Sequence, residues 1–426
     1  MKPTDIETTL ATLFSNDYDV SKYYIKTWIY KKNVCVIDFC IDDYIFAFDV
    51  ICNDNKLEVF IINRRINKRL EFIPLQKPSL LTVFEKIKDY VITQRNNILN
   101  EYSYFISVII PVYNREFIIS DCVKSLNSQT LSYDKFEVIF VDDYSSDSSV
   151  EVIENNISKG INYRILNRPI NSGSASAPRN DGIYYSKSRY VLFLDSDDYI
   201  FDYTLKNLYD CALKNNPDVV YLRIDGDKGR VFGQKPFKKG NVDLASIADD
   251  HLVRSLMPSK MIKRTMLIEH GILFPVDIKV GEDRVFILQC LSKAKRISIL
   301  ADKPYYYLTN HDGDRLTFSV QTLEKDLEIV SRTFRAIYNA DMSLENKKRF
   351  FSSWMNTIIE SYIFIRLRRK RHSIEKKQDY LTKLHNDFMA CKLLHSDKYI
   401  YKEFFEAYND FVRLDFKSLL DKSQNK

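Results

Sequence analysis

The chain has 426 residues, with 63 Lys and Arg against 57 Asp and Glu, a formal net charge of +6, and 45% hydrophobic and 28% charged residues. That is enough apolar material for two or three domains, and only 10 Gly and 11 Pro argue against a disordered or low-complexity chain. The mild positive balance suits a phosphate-bearing substrate or an anionic surface without demanding nucleic acid, and seven scattered cysteines with no C-x-x-C pair argue against a zinc site or a disulfide framework.

The start, "MKPTDIETTL", carries no apolar stretch of the signal-peptide kind, and no apolar run approaches the roughly 18–20 residues of a membrane span. A soluble, cytoplasmic protein is the expectation. Residues 1–100 read as an α+β module. "YYIKTWIYKKNVCVIDFCIDDYIFAFDVICNDNKLEVFIINRR" is rich in β-branched and aromatic residues with short polar breaks, which predicts an antiparallel meander. "SLLTVFEKIKDYVITQRNNIL" follows with helical spacing. The module shows no chemistry and reads as a packing or oligomerisation element, which leaves a homo-oligomer open.

At Tyr104 the pattern changes. "FISVIIPVYN" is a near-continuous apolar run closed by Pro and Asn, as in a strand buried on both faces. Helix "REFIISDCVKSLNSQT", strand "FEVIFVDDYSSD", helix "SSVEVIENNIS", strand "INYRILNR", helix "APRNDGIYYSKS" and strand "YVLFLDSDD" follow. This alternation predicts an α/β domain over 104–320 with a mainly parallel sheet. Such sheets bind ligands beyond the carboxyl ends of their strands. Tyr113, Asp142, Asp143 and the acids Asp195, Asp197 and Asp198 all fall there. From 321 to 426 the chain reads as a helical domain.

Three carboxylates in four residues at the end of a buried strand would repel one another and be costly to desolvate without a cation. A metal site, a solvated turn and a helix cap for Asp198 are the readings open to "DSDD". Hard oxygen ligands suit Mg²⁺ or Mn²⁺, which commonly arrive with a substrate diphosphate.

"SVIIPVYN", "VIFVDDYSSD", "NSGSASAPRNDGI" and "YVLFLDSDDYI", in that order and spacing, resemble the inverting family 2 glycosyltransferases of GT-A fold. The resemblance is strong over Ser107 to Asp202. "LMPSKMIKRTML", "VGEDRVF" and "ADKPYYYLTN" extend it towards the bacterial wall teichoic acid enzymes that add N-acetylglucosamine to poly(ribitol phosphate), and towards related capsule enzymes. The resemblance implies a UDP-sugar donor, with Pro111 and Tyr113 lining the base and Asp143 reading the uracil. Asn171 and Arg179 would lie against the sugar nucleotide. Asp195 and Ser196 belong to the D-x-D element, with Asp197 as the metal ligand for Mn²⁺ or Mg²⁺. Asp283 is then the general base, with Glu282 and Arg284 orienting the acceptor or each other. His311 and Arg315, in a segment that closes over the diphosphate in relatives, are the candidates for neutralising the leaving group.

The run "RLRRKRH", Arg366 to His372, reads either as a solvated helix face or as a contact for an anionic polymer or a membrane surface. The implied acceptor is an anionic glycopolymer or its lipid-linked precursor, handled in the cytoplasm or peripherally at the inner face of the membrane. A peptide or small-glycan acceptor, or a non-catalytic sugar-nucleotide-binding relative, are the alternatives. No Gly-rich phosphate turn follows the first α/β strand, which excludes dinucleotide-binding and P-loop enzymes. No motif supports a nucleic-acid partner.

Overall fold

The computed structural model describes residues 23–31, 34–41, 44–53, 56–63, 68–73, 85–89 and 102–424, except 229–231, 311–321 and 370–371. In the N-terminal unit, β1 (Tyr23–Lys31), β2 (Val34–Ile41), β3 (Tyr44–Asn53), β4 (Lys56–Asn63) and β5 (Lys68–Ile73) pair in sequence order, every pair antiparallel. This is the meander expected from alternating β-formers and polar breaks.

The second unit is built on a seven-stranded sheet. Four strands are the apolar runs read from the sequence: β6 (Tyr104–Val112), β7 (Phe136–Asp142), β8 (Asn162–Asn167) and β9 (Ser188–Phe193), all parallel. A two-residue β10 (Tyr199–Ile200) follows, then β11 (Val219–Leu222), β12 (Ile224–Gly226), β13 (Lys260–Lys263), β14 (Ile297–Leu300) and β15 (Tyr306–Leu308). The sheet order is β14-β11-β13-β9-β6-β7-β8, with β13 antiparallel to both neighbours. A small sheet, β10-β15-β12, stands beside it.

Period-two alternation divides the core. Val108 and Ile110 pack on one face with α1 (Ile119–Asn127), α2 (Ser149–Asn156) and α4 (Thr204–Asn215). Ile109 packs on the other, where α3 (Ser176–Tyr185), α5 (Arg264–Glu269) and α6 (Glu282–Lys293) lie. Helix α3 approaches β6 so closely that a Cβ on Gly182 would sit 2.2 Å from Ile109 Cγ2.

The second face continues without a break into the C-terminal helices: α7 (Leu323–Tyr338), α8 (Leu344–Thr357), a π-helical turn (Ile358–Phe364), α9 (Ile365–Arg368), α10 (Ile374–Ala390), α11 (Phe405–Val412) and α12 (Phe416–Gln424). Ser343 and Ser373 cap α8 and α10, accepting from the N–H groups of Asn346 and Lys376. Leu414, at φ +54°, separates α11 from α12.

The basic run needs a correction. Arg366 is not part of a solvated or polymer-facing stripe. It is buried, and its guanidinium donates through Nη2 to Asp326 Oδ1 at 3.0 Å and through Nε to Asp326 Oδ2. Arg368 is exposed, while Lys370 and Arg371 lie outside the described residues.

Candidate active site

The carboxyl ends of β6, β7, β8 and β9 gather the polar residues. Pro111 sits opposite Val141 in the parallel ladder, and Tyr113 emerges just beyond it, 45% exposed. Asp143 is buried, and its backbone N–H donates to the Val112 carbonyl at 2.8 Å. Its carboxylate is engaged on both oxygens. Arg168 Nη1 donates to Oδ1 at 2.6 Å, and Ser172 donates to Oδ2 through Oγ at 2.7 Å and through its N–H at 3.0 Å. Asn171 Nδ2 donates to the Asp143 carbonyl at 3.0 Å, and its Oδ1 accepts from the Gly173 N–H. Gly173 has φ +76°, a backbone state that favours glycine. The 171–173 loop is therefore fastened onto Asp143.

A second group forms around Arg179 on α3. Its Nη2 donates to Asp195 Oδ1 at 2.7 Å and its Nη1 to Glu282 Oε1 at 3.2 Å, with the guanidinium 5.1 Å from the Phe274 ring centroid. One buried arginine thus joins the "DSD" strand end to the start of α6. That helix opens after Gly281, at φ +91°, so Glu282 and Asp283 stand in its first turn, where partial positive charge favours carboxylates. Burial, then the charge of Asp283, pushes the Glu282 carboxyl up to about 7 against the pull of Arg179. Asp283 Oδ1 accepts from the Arg284 N–H at 2.9 Å.

The third group secures the acids. The Asp195 N–H donates to Tyr306 Oη at 3.0 Å, and that hydroxyl donates to Asp198 Oδ2 at 2.9 Å. The Thr309 N–H donates to Asp198 Oδ1 at 3.0 Å, and its hydroxyl to the Asp197 carbonyl. Asp198 is therefore no helix cap; α4 begins six residues later, with Tyr203 at its N-cap. Burial, then the charges of Asp197 and Asp195, raises the Asp198 carboxyl to about 8. Ser196 is buried, and Asp197 is half-exposed.

Among the described residues no cluster of three His, Cys, Asp or Glu is assembled to hold a metal by itself. The donor set still fits a hard cation. Asp195 (tied to Arg179), Asp197 and Asp198 (tied to Tyr306 and Thr309) bring three carboxylates to one strand end. Magnesium commonly binds through one or two carboxylates and a substrate phosphate.

Of the residues expected from sequence, Arg179, Asp195 and Glu282 are brought into direct contact, and Asn171 with Asp143. Arg284 is not brought into the Arg179 group; its guanidinium bonds the Tyr362 hydroxyl on the π-helical turn. His311 and Arg315 lie outside the described residues. Sequence reasoning missed Arg168, which also donates to Asp181 Oδ2 at 2.9 Å. Its position one residue past β8 was a usable signal. It missed Tyr306 and Thr309, and it missed Lys260 on β13. Lys260 is buried, bonded to the Met257 carbonyl and 4.4 Å from the Tyr221 ring centroid. Burial lowers it to about 7, opposed by the Asp283 charge.

Comparison with known proteins bears on this arrangement. The family model described as Glycosyl transferase family 2 matches residues 107–274. The chain is 37% identical over 251 residues to the poly(ribitol-phosphate) beta-glucosyltransferase of Bacillus spizizenii, covering 59% of this chain and 39% of that protein. It is 32% identical to the Staphylococcus aureus poly(ribitol-phosphate) beta-N-acetylglucosaminyltransferases TarS and TarP, covering 59% and 57% of this chain and 43% and 75% of theirs. The chain thus spans about two fifths of the length of the first two of these relatives. The crystal structure of S. aureus TarS 1–349 in complex with UDP-GlcNAc aligns with a TM-score of 0.67 at 25% identity, covering 75% of this chain and 90% of that one.

Proposed function

Because the chain belongs to glycosyl transferase family 2, we propose that it is an inverting transferase that moves a sugar from a UDP-sugar to a hydroxyl of an anionic cell-surface polymer of the teichoic acid type. The observation that carries this reading is the Arg179 bridge, which holds the D-x-D carboxylate Asp195 and the α6 carboxylate Glu282 on one guanidinium. Donor-side and acceptor-side acids thereby share a single site at the strand ends.

In this reading the base lies between Tyr113 and the loop fastened to Asp143. Arg168 and Ser172 hold the Asp143 carboxylate in place, so that it meets the uracil edge without reorganising. Arg179 orients Asp195 towards the nucleotide sugar and spares Glu282 the full cost of burial. Asp283 removes the acceptor proton as the new bond forms on the opposite face of the anomeric carbon, which inverts its configuration. Asp197, with the diphosphate oxygens, would hold Mg²⁺ or Mn²⁺, whose charge offsets the negative charge gathering on the leaving diphosphate.

The acceptor class rests on the ribitol-phosphate relatives and on the net positive charge of the chain. A lipid-linked or capsule polymer made at the cytoplasmic face of a membrane fits the same chemistry. Among the described residues no helix is long and apolar enough to cross a membrane.

The test is a panel of UDP-sugars and poly(ribitol phosphate) with purified protein, following UDP release and the anomeric configuration of the product. UDP released only with polymer present, together with inversion, supports the reading. Retention of configuration, or donor binding without turnover on any acceptor, refutes it.

A further inference from the structure

Asp283 is followed directly by an arginine, an awkward neighbour for a base. A guanidinium paired with a carboxylate lowers its pKa by about 1–3 units and so weakens it as a proton acceptor. The fold sends that side chain elsewhere. Arg284 Nη1 donates to the Tyr362 hydroxyl, and its guanidinium lies 5.3 Å from the Tyr362 ring centroid. The Arg284 backbone N–H is what hydrogen-bonds Asp283.

Tyr362 is well held for this. It is 1% exposed and sits on the π-helical turn between α8 and α9, a local widening that recurs at functional sites. Tyr380 Oη donates to its carbonyl at 2.9 Å, and Trp354 packs against its ring with centroids 6.1 Å apart. The buried Arg366–Asp326 pair lies alongside, with Arg366 5.9 Å from the same ring. The charged groups facing Asp283 are Glu282 and Arg284 on α6, Arg179 on α3 and Lys260 on β13.

We propose that Tyr362 is a positioning residue for the transfer: it parks the Arg284 guanidinium against the helical region and so keeps it from pairing with the Asp283 carboxylate. The inference rests on Asp283 being the base. A site more than 70 residues away in sequence thereby holds in place the cation that follows the proton acceptor.

The experiment uses the full chain and the donor–polymer assay, with Tyr362→Phe, Tyr362→Phe/Arg284→Gln and Asp283→Asn. Tyr362→Phe keeps the ring and removes only the oxygen. Arg284 then turns to Asp283, kcat falls about 10-fold, and the acidic limb of the kcat profile moves about one pH unit lower, while KM for donor is unchanged. Removing the guanidinium in the double variant restores most of the lost kcat and returns the limb. A structural role for Tyr362 predicts instead that the double variant is no better than the single. A Tyr362→Phe enzyme with unmoved kcat and pH profile, or a loss that the double variant does not recover, overturns the proposal. Asp283→Asn separates the two readings. If it stays active, the base assignment itself fails; if it is inactive while Tyr362→Phe matches the parent, only the parking role fails.

Discussion

Replacing Arg366 with Met tests whether the basic run is surface or core. Asp326 is 0% exposed and Arg366 8% exposed, and two guanidinium donors reach the two carboxylate oxygens. Methionine fills much of the arginine stem's volume, so packing loss is small and the change isolates the charge. Breaking a buried pair from one side costs about 3–5 kcal/mol, because the remaining charge loses its partner in a dry site. Against a urea dependence of about 3 kcal/mol per molar, that lowers the unfolding midpoint by about 1–1.7 M. The companion variant Asp326→Leu/Arg366→Met removes both charges and should recover most of the loss, since a buried pair exchanged for apolar groups is often neutral. Urea unfolding followed by tryptophan fluorescence is a direct readout, because Trp354 lies in the same core. A midpoint within about 0.2 M of the parent, combined with a raised KM for anionic polymer, would refute the reasoning and return Arg366 to the surface track.

Asp283→Asn should lower kcat by about 10²–10⁴-fold, the usual contribution of a positioned base, with donor affinity by calorimetry unchanged. Asp197→Asn should abolish the stimulation of turnover by Mn²⁺ or Mg²⁺; equal turnover of parent and variant in chelator and in metal would dismiss that ligand. Arg179→Met leaves Asp195 and Glu282 without their shared cation, so both donor KM and kcat should worsen, and an unaffected kcat/KM would remove the bridge from the mechanism. Lys260 is lowered from 10.5 to about 7 by burial, so between those values the unfolded chain binds more protons than the folded one and stability rises with pH. Lys260→Met should flatten that rise in urea midpoints taken from pH 7 to 10; a parallel pair of curves would contradict the assignment.

The parallel strands were legible because burial on both faces leaves a continuous apolar run, and the acids at their ends stood out against it. Arg179 followed only from the family resemblance, whereas Asp143 and Asp195 could be placed at those ends for that reason. Lys260 could not, because a lysine in "MPSKMIKR" reads as surface until β13 is seen inserted antiparallel between β9 and β11. Arg366 was misread for a geometric reason. Residues two apart on a helix diverge by about 200°, so one run of charge sends Arg366 inward and Arg368 outward. The Arg179–Glu282 contact joins residues 103 positions apart, a closure that no local pattern encodes.

The bare backbone at Gly182 sets a mechanical tolerance on the site. An added methyl would meet Ile109 at 2.2 Å, where ordinary contacts begin at 3.4 Å, so α3 would have to lift by about an ångström. Arg179 lies one turn earlier on that helix, and its bonds to Asp195 and Glu282, at 2.7 and 3.2 Å, cannot both stretch so far and survive. The spacing between the two halves of the site is thus gauged from beneath by a group that is missing. A drift to alanine at this buried position would therefore disturb, in one stroke, both carboxylates that Arg179 holds.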